Sequence, residues 1–312
     1  MSSNTDALVD TIAAPASAGV APAPGGPLRM FAGVRWGDYL GVAPFLIFAI
    51  LFLIVPTLFL IIGAFQAADG SFTLQNIMDL GTPQILSSFW ISIRVSAASA
   101  VLGALLGLII ALAVIRGQLP AAIRSTVLTF SGVASNFAGI PLAFAFIATL
   151  GRLGIMTALL KIIGVDIYRG GFNILSFWGL TLTYCYFQIP LMILIIAPAI
   201  DGLKKEWNEA ASTLGASNGQ FWRYIGLPVL WPNLLGTLSL LFANAFGAIA
   251  TAYALTGSSL NIVPILLYAQ IRGDVLNNPG LGAALALGMI VITALANVVY
   301  LVIRTRAERW LK

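Results

Sequence analysis

Apolar residues in this chain run in long stretches, without the alternation of inward and outward positions that marks a half-buried strand. Six stretches, near 40–64, 89–115, 125–150, 173–200, 231–256 and 282–303, reach the roughly twenty residues that a helix needs to cross a bilayer. Lipid offers no partner to backbone N–H and C=O groups, so each stretch has to satisfy its own. The pattern predicts an all-α membrane protein with six transmembrane helices. Pro56, Pro141 and Pro190 interrupt apolar runs and are expected as kinks within a bundle.

Composition agrees. Of 312 residues, 59% are hydrophobic and 9% charged, against roughly a quarter charged in a soluble domain. There is no histidine, and Cys185 is the single cysteine, which leaves no disulfide framework and no Cys/His metal site. The net charge of +5 comes from basic residues at the ends of apolar runs, a pattern of membrane topology and not of nucleic-acid binding. One face receives Arg29, Arg35, Arg116, Arg124, Lys204, Lys205, Arg223, Arg304, Arg306, Arg309 and Lys312; the other receives Arg152, Lys161, Arg169 and Arg272. The richer face belongs in the cytoplasm, so both termini are predicted inside. Arg94 falls within the second run near its outer end, where it can snorkel.

Residues 1–35 are rich in Ala, Pro, Ser and Gly and lack the basic start and apolar core of a signal peptide. They are expected to be a disordered cytoplasmic tail, with the membrane domain covering 36–312. The predicted outer loops are modest. Residues 151–172 carry clustered Leu159, Leu160, Ile162 and Ile163 and suggest a helix along the membrane surface. Residues 257–280 hold the turn formers Asn261, Pro264, Asn277, Asn278 and Pro279 and suggest a loop.

Between the fourth and fifth runs lies a polar interlude, 201–228. Leu203, Trp207, Ala210, Ala211 and Leu214 fall at helical spacing, with Lys204, Lys205, Glu206, Glu209 and Thr213 on the other side. Asp201 is a candidate N-cap and Gly215 a candidate helix stop. Ser217-x-x-Gln220 is a capping-box signature for a second short helix bearing Phe221, Trp222, Tyr224 and Ile225, with Leu227-Pro228 expected to end it. Ala210, Ala211, Gly215, Ala216 and Gly219 leave one surface nearly bare of side chains, open to close approach by another backbone.

Glu209-Ala-Ala, Gly215-Ala216, Phe221, Arg223, Ile225 and Leu227-Pro228 resemble the EAA motif of binding-protein-dependent ABC importer permeases; Gly226 stands where a threonine or similar residue is frequent. The resemblance covers the chain from about the first span onward. It implies a permease subunit in a bacterial inner membrane whose coupling helices seat in a cytoplasmic ABC ATPase dimer. Glu209, Ala210, Ala211, Gly215 and Ala216 would form the docking surface, and Phe221, Arg223, Leu227 and Pro228 would hold the second helix. An extracytoplasmic solute-binding protein and a second permease, identical or homologous, are implied as partners. No G-x-x-x-x-G-K-[ST] stretch is present, so no cofactor is expected on this chain; ATP and Mg would be used by the partner.

An ion-coupled secondary transporter is the alternative, but no Asp or Glu lies well inside a predicted span and histidine is lacking. A membrane-embedded protease would need paired aspartates, a metal site or a serine–histidine pair, and none is supplied. Asn136, Tyr184, Gln188, Asn244 and Tyr253 are candidate polar positions on a translocation path, while Gly103, Gly107, Gly247 and Ala248 suggest a lateral face for close pairing with a second subunit. The stretch Ala134-Ser-Asn136-Phe-Ala-Gly-Ile-Pro141-Leu-Ala-Phe is similar to permeases grouped with polyamine importers. That group also handles aminophosphonates, opine-like compounds and ferric iron; a polyamine-like solute is the first expectation.

Overall fold

The computed structural model describes residues 36–117, 119–272 and 278–308. The expected tail over 1–35, and Asn277, Arg309 and Lys312, lie outside them. Two units are distinguished, one ending at Pro56 and one from Thr57 onward. In the first, helix α1 (Trp36–Ala49) passes into a π turn at Ile50–Ile54. The chain continues as α2 (Val55–Gly63), and Gly41–Gly63 is apolar enough to cross a membrane.

In the second unit, α3 (Gln75–Asp79) precedes α4 (Pro83–Arg116), a helix of 34 residues, or about 51 Å. That exceeds a bilayer by several turns, so the helix begins before its apolar run and part of it extends beyond the membrane. Arg94 lies part-way along it, exposed, its guanidinium 5.2 Å from the Phe177 ring, with Trp178 next in sequence also exposed. Arginine and tryptophan together mark a membrane–water boundary. The fourth span is α8 (Phe177–Asp201), capped by the Ser176 hydroxyl and containing Pro190 without interruption; the sixth is α14 (Pro279–Glu308).

The third and fifth spans are broken. Residues 125–150 were expected as one helix; instead α5 (Ala121–Asn136) stops, and α6 (Ile140–Leu150) starts after Gly139, whose φ is +75°. Likewise 231–256 divides into α11 (Leu227–Phe246) and α12 (Ile249–Thr256) about Gly247–Ala248. Neither α6 nor α12 is long enough to span alone; by length and hydropathy the candidate spans here are Ile140–Ile162, which joins α6 to the short helix after it, and Asn218–Phe246, which ends with α11. Pro141 is accordingly a helix-start residue, not a kink. Beyond α6 lies α7 (Ile155–Ile162), with Ile155, Leu159 and Ile162 exposed; a helix was expected here along the membrane surface, whereas by length and hydropathy it belongs to the candidate span Ile140–Ile162. The expected loop over 257–280 contains a helix the turn formers concealed, α13 (Val263–Arg272), with Pro264 in its first turn and buried.

Helices α4 and α8 form the spine. Along α4, Ser88, Ser92, Ser96, Ser99, Gly103, Gly107 and Ala111 recur at three- and four-residue intervals and are buried. A β-carbon on Gly103 would lie 2.5 Å from that of Gln188, and one on Gly107 2.6 Å from that of Met192. These glycines therefore pack against α8 of the same chain and do not form the lateral face suggested from sequence. Without a hydrophobic force between helices in lipid, such close approach supplies the cohesion through dispersion. Met192, Ile193, Ile196 and Ile200 of α8 then pack with Leu230 and Leu241 of α11.

The charges sort to opposite ends. Arg124 meets the last residue of α8 and Arg116 the turn after it, while Lys161 and Arg169 both pair with Asp166 and Arg152 lies 5.6 Å from the Tyr168 ring. Gly103→Val is expected to destabilise the bundle by about 1–3 kcal/mol, through overpacking against Gln188. Gly132→Ala, with open space at its β position, should be neutral or better; thermal unfolding in detergent compares the two.

Candidate functional site

The two helix breaks adjoin. The Gly139 amide donates to the Thr251 hydroxyl at 2.7 Å, and the Tyr184 hydroxyl donates to the Ala248 carbonyl at 2.5 Å. Both bonds satisfy groups that the interrupted helices leave without an intrahelical partner. Around them opens a crevice of about 440 Å³, lined by Ser135, Gly139, Phe187, Asn244, Gly247 and Thr251 among others, with no charged side chain in its wall. Helices α6 and α12 both begin there, directing first-turn N–H groups and the positive ends of their dipoles to the same region.

The candidate path residues separate on this geometry. Asn244 lines the crevice. Asn136 is exposed at the end of α5, but its amide turns back to the Gly132 carbonyl at 2.9 Å. Tyr184 is buried behind the break as a brace, and Gln188 lies fully buried in the spine, its amide donating to the Leu241 carbonyl. Tyr253 is half-exposed, outside the crevice wall, stacked against Tyr268 at 5.2 Å between ring centroids. Gly247 and Ala248, suggested for subunit pairing, border the crevice instead. Ser135, Phe187 and Thr251 were not anticipated. A sequence signal for the breaks was present: Asn136 and Asn244 each precede a glycine by three residues within an apolar run.

The interlude is a second site. Helix α9 (Lys205–Thr213) starts at Lys204, because Asp201 is still the last residue of α8 and does not cap α9. Asp201 instead pairs with Arg124 at 2.6 Å. Gly215 stops α9 as expected, with φ +79°; the Ala216 amide reaches back to Ala211 O and the Gly215 amide to Ser212 O, the paired bonds of a glycine-terminated helix end. Ser217 and Gln220 form the reciprocal capping box on α10 (Asn218–Phe221).

Leu227-Pro228 does not end that second helix. After Phe221 the chain widens into a π turn, Trp222–Gly226, and enters α11 without a break. The Leu227 amide bonds to Trp222 O, five residues back, so the ladder is already expanded where proline withholds its N–H and crowds the preceding turn. The π turn at Ile50–Ile54 likewise stands two residues before Pro56. Gly226, the departure from the family pattern, is where the Trp222 ring folds over the backbone: a β-carbon there would lie 2.5 Å from the ring.

Phe221 is buried and anchors this stretch, its ring 5.9 Å from that of Trp222. Arg223, Leu227 and Pro228 are exposed on the helix, so they do not hold it by burial. Between α9 and the start of the fifth span runs an apolar groove of about 530 Å³, lined by Trp207, Ala210, Ala211, Ala216, Phe221 and Tyr224 among others. Leu214 at its edge is 88% exposed. Glu209 and Gly215 lie on the exposed surface of α9 and its turn, and Glu209 enters no ion pair among the described residues.

Residues 103–311 match the family described as binding-protein-dependent transport system inner membrane component. The chain belongs to this family. Among relatives of the permease is the molybdenum transport system permease protein ModB of Mycobacterium tuberculosis, 28% identical over 219 residues (69% of this chain, 78% of the relative). The sulfate transport system permease protein CysW of Escherichia coli is 23% identical over 248 residues (79% and 76%). The spermidine/putrescine transport system permease protein PotB of Haemophilus influenzae is 25% identical over 258 residues (80% and 88%). The fold is shared with a bacterial ABC transporter involved in import of the polysaccharide alginate, at TM-score 0.68 and 18% identity over 91% of this chain and 100% of that one. The permease is thus an ABC importer subunit, with six helical segments among the described residues long and apolar enough to cross a membrane. Tyr184→Phe should lower its stability by about 1–3 kcal/mol, by leaving the Ala248 carbonyl unpaired; thermal unfolding in detergent reads the loss.

Proposed function

We propose that this permease forms one wall of an ATP-driven import path in a bacterial inner membrane, and that its α9 element docks on a cytoplasmic ABC ATPase dimer. The supporting observation is the uncovered apolar groove beside α9, with Leu214 almost fully exposed in the segment that carries Lys204, Lys205 and Arg223. An apolar surface facing water beside a bare-backbone turn fits a protein partner. The family match and the absence of a phosphate-binding glycine loop support assigning ATP and Mg to that partner, so that this subunit is not itself an enzyme. A second permease, identical or homologous, would close the path, and an extracytoplasmic binding protein would deliver the solute.

For the cargo, the crevice favours a small solute presenting an oxyanion. Its wall carries no carboxylate to neutralise a polycation, and two helices begin at it. Two of the relatives are named for molybdenum and sulfate transport. A polyamine is the second reading, supported by the relative named for spermidine and putrescine.

Gly215→Val meets no neighbour within the chain but forces a branched residue into left-handed backbone. Together with Glu209→Lys, it should leave the permease in the membrane while reducing its co-purification with the ATPase at least about tenfold, a loss of about 1.4 kcal/mol of binding. Wild-type recovery of the ATPase would remove the docking assignment. In vesicles holding the whole transporter, uptake should stop without ATP and persist with a protonophore. Binding protein loaded with sulfate, molybdate or an aminophosphonate should stimulate ATP hydrolysis more than binding protein loaded with spermidine. The reverse order would support the polyamine reading.

A further inference from the structure

We infer that the Arg124–Asp201 ion pair is a coupling link, a positioning contact that makes the two helices bordering the crevice move with the docking element as one body. The inference rests on the docking reading above.

Helix α11 leads back to α9, and α5 leads back to the end of α8 that precedes α9. Helix α11 is joined to α9 covalently: α10, the π turn and α11 form a continuous helical run from Asn218 to Phe246, and Asn244 near its end lines the crevice. Helix α5 has no such connection. It ends at Asn136, beside the crevice-lining Ser135, and its other end, about 24 Å away, carries Arg124 in the first turn. Arg124 Nη2 lies 2.6 Å from Asp201 Oδ2, at the last residue of α8 and four positions before α9 begins.

A second contact ties the same turn. Arg116 Nη2, from the last residue of α4, donates to the Leu203 carbonyl at 2.7 Å, and Leu203 is buried against the α8 and α11 core. The corner between α4 and α5 therefore grips residues 201–203 through two arginines separated by 77 and 87 positions from their partners. A rotation of α9 reaches α11 through backbone; it reaches α5 through α8, along which α5 packs, and through these side chains at the end of that packing.

The Arg124–Asp201 pair is a poor device for stability alone, since its side chains are 40% and 46% exposed and water screens them. Its value lies in position: it fastens the first turn of α5 to the last residue of α8, where the packing of those helices ends and the turn into α9 begins. Transmission of this kind is carried by a contact that is kept while the elements it joins move.

The test uses the complete transporter with its ATPase and a Ser135→Cys reporter at the crevice; Cys185 is buried, so the parent without the reporter is the blank. Labelling by a small maleimide is measured with and without ATP–vanadate trapping, beside ATP hydrolysis. In the parent pair, trapping should change the labelling rate about fivefold or more, the range of ordinary site-to-site coupling. Arg124→Asp and Asp201→Arg should each reduce that change to below about twofold while hydrolysis continues, and the combined exchange should restore it. Arg124→Gln, which adds no repulsion, is expected to show the same loss and serves if a reversal fails to assemble. Full response in the single variants, or no recovery in the assembled double variant, overturns the link. No response to trapping even with the pair intact overturns the docking reading beneath it.

Discussion

A backbone amide or carbonyl inside a membrane must find a partner within the protein, and the architecture of this permease turns on how that demand is met where two helices stop. The breaks at Gly139 and Gly247–Ala248 would be untenable separately. Placed together, the Gly139 amide takes the Thr251 hydroxyl, and Ala248 takes the phenol of Tyr184 from the spine. Irregular backbone at depth is admissible where it lines a cavity, and here it does. The glycine and serine seam between α4 and α8 serves the same end indirectly, since Tyr184 can brace Ala248 only while α8 is held firmly at its back.

At the other end of the bundle the constraint is different. Proline inside a helix removes one donor and crowds the turn before it, yet the fifth span must run without a hinge from α10 into the membrane if motion of the docking element is to be conveyed stiffly. Widening the ladder to a π turn resolves the conflict, and the bare Gly226 lets Trp222 cover the widened segment. A π turn also stands before Pro56, whereas Pro190, Pro198 and Pro232 lie within α-helices, so proline alone does not require the widening.

Much of this was legible in the residues. Length of apolar run defined the spans, because helix is the form lipid permits; the glycine stop at Gly215 and the Ser217–Gln220 cap were readable because each is a local bond between residues close in sequence. What escaped was non-local or depended on competition. Asp201 is a plausible cap by type, but α8 had already claimed it and Arg124 lay within reach. Gly103 and Gly107 were correctly seen as sites of close approach, but sequence could not name the helix that approaches. Gln188 and Tyr184 looked like path residues because polar groups within apolar runs invite that reading; the structure spends them on carbonyls inside the bundle. The α13 helix was hidden by Pro264, which a first helical turn accommodates.

The π turn in the fifth span also fixes a register. One additional residue in a helix rotates everything beyond it by about 100° about the axis. The face of α11 that presents Asn244 to the crevice is therefore phased, relative to the groove beside α9, by that single extra residue. Shortening the segment by one position would keep the helix and both surfaces intact in composition while turning one away from the other. In this chain the alignment of the groove beside α9 with the crevice is set by an angle, held by a five-residue widening around one glycine and one proline.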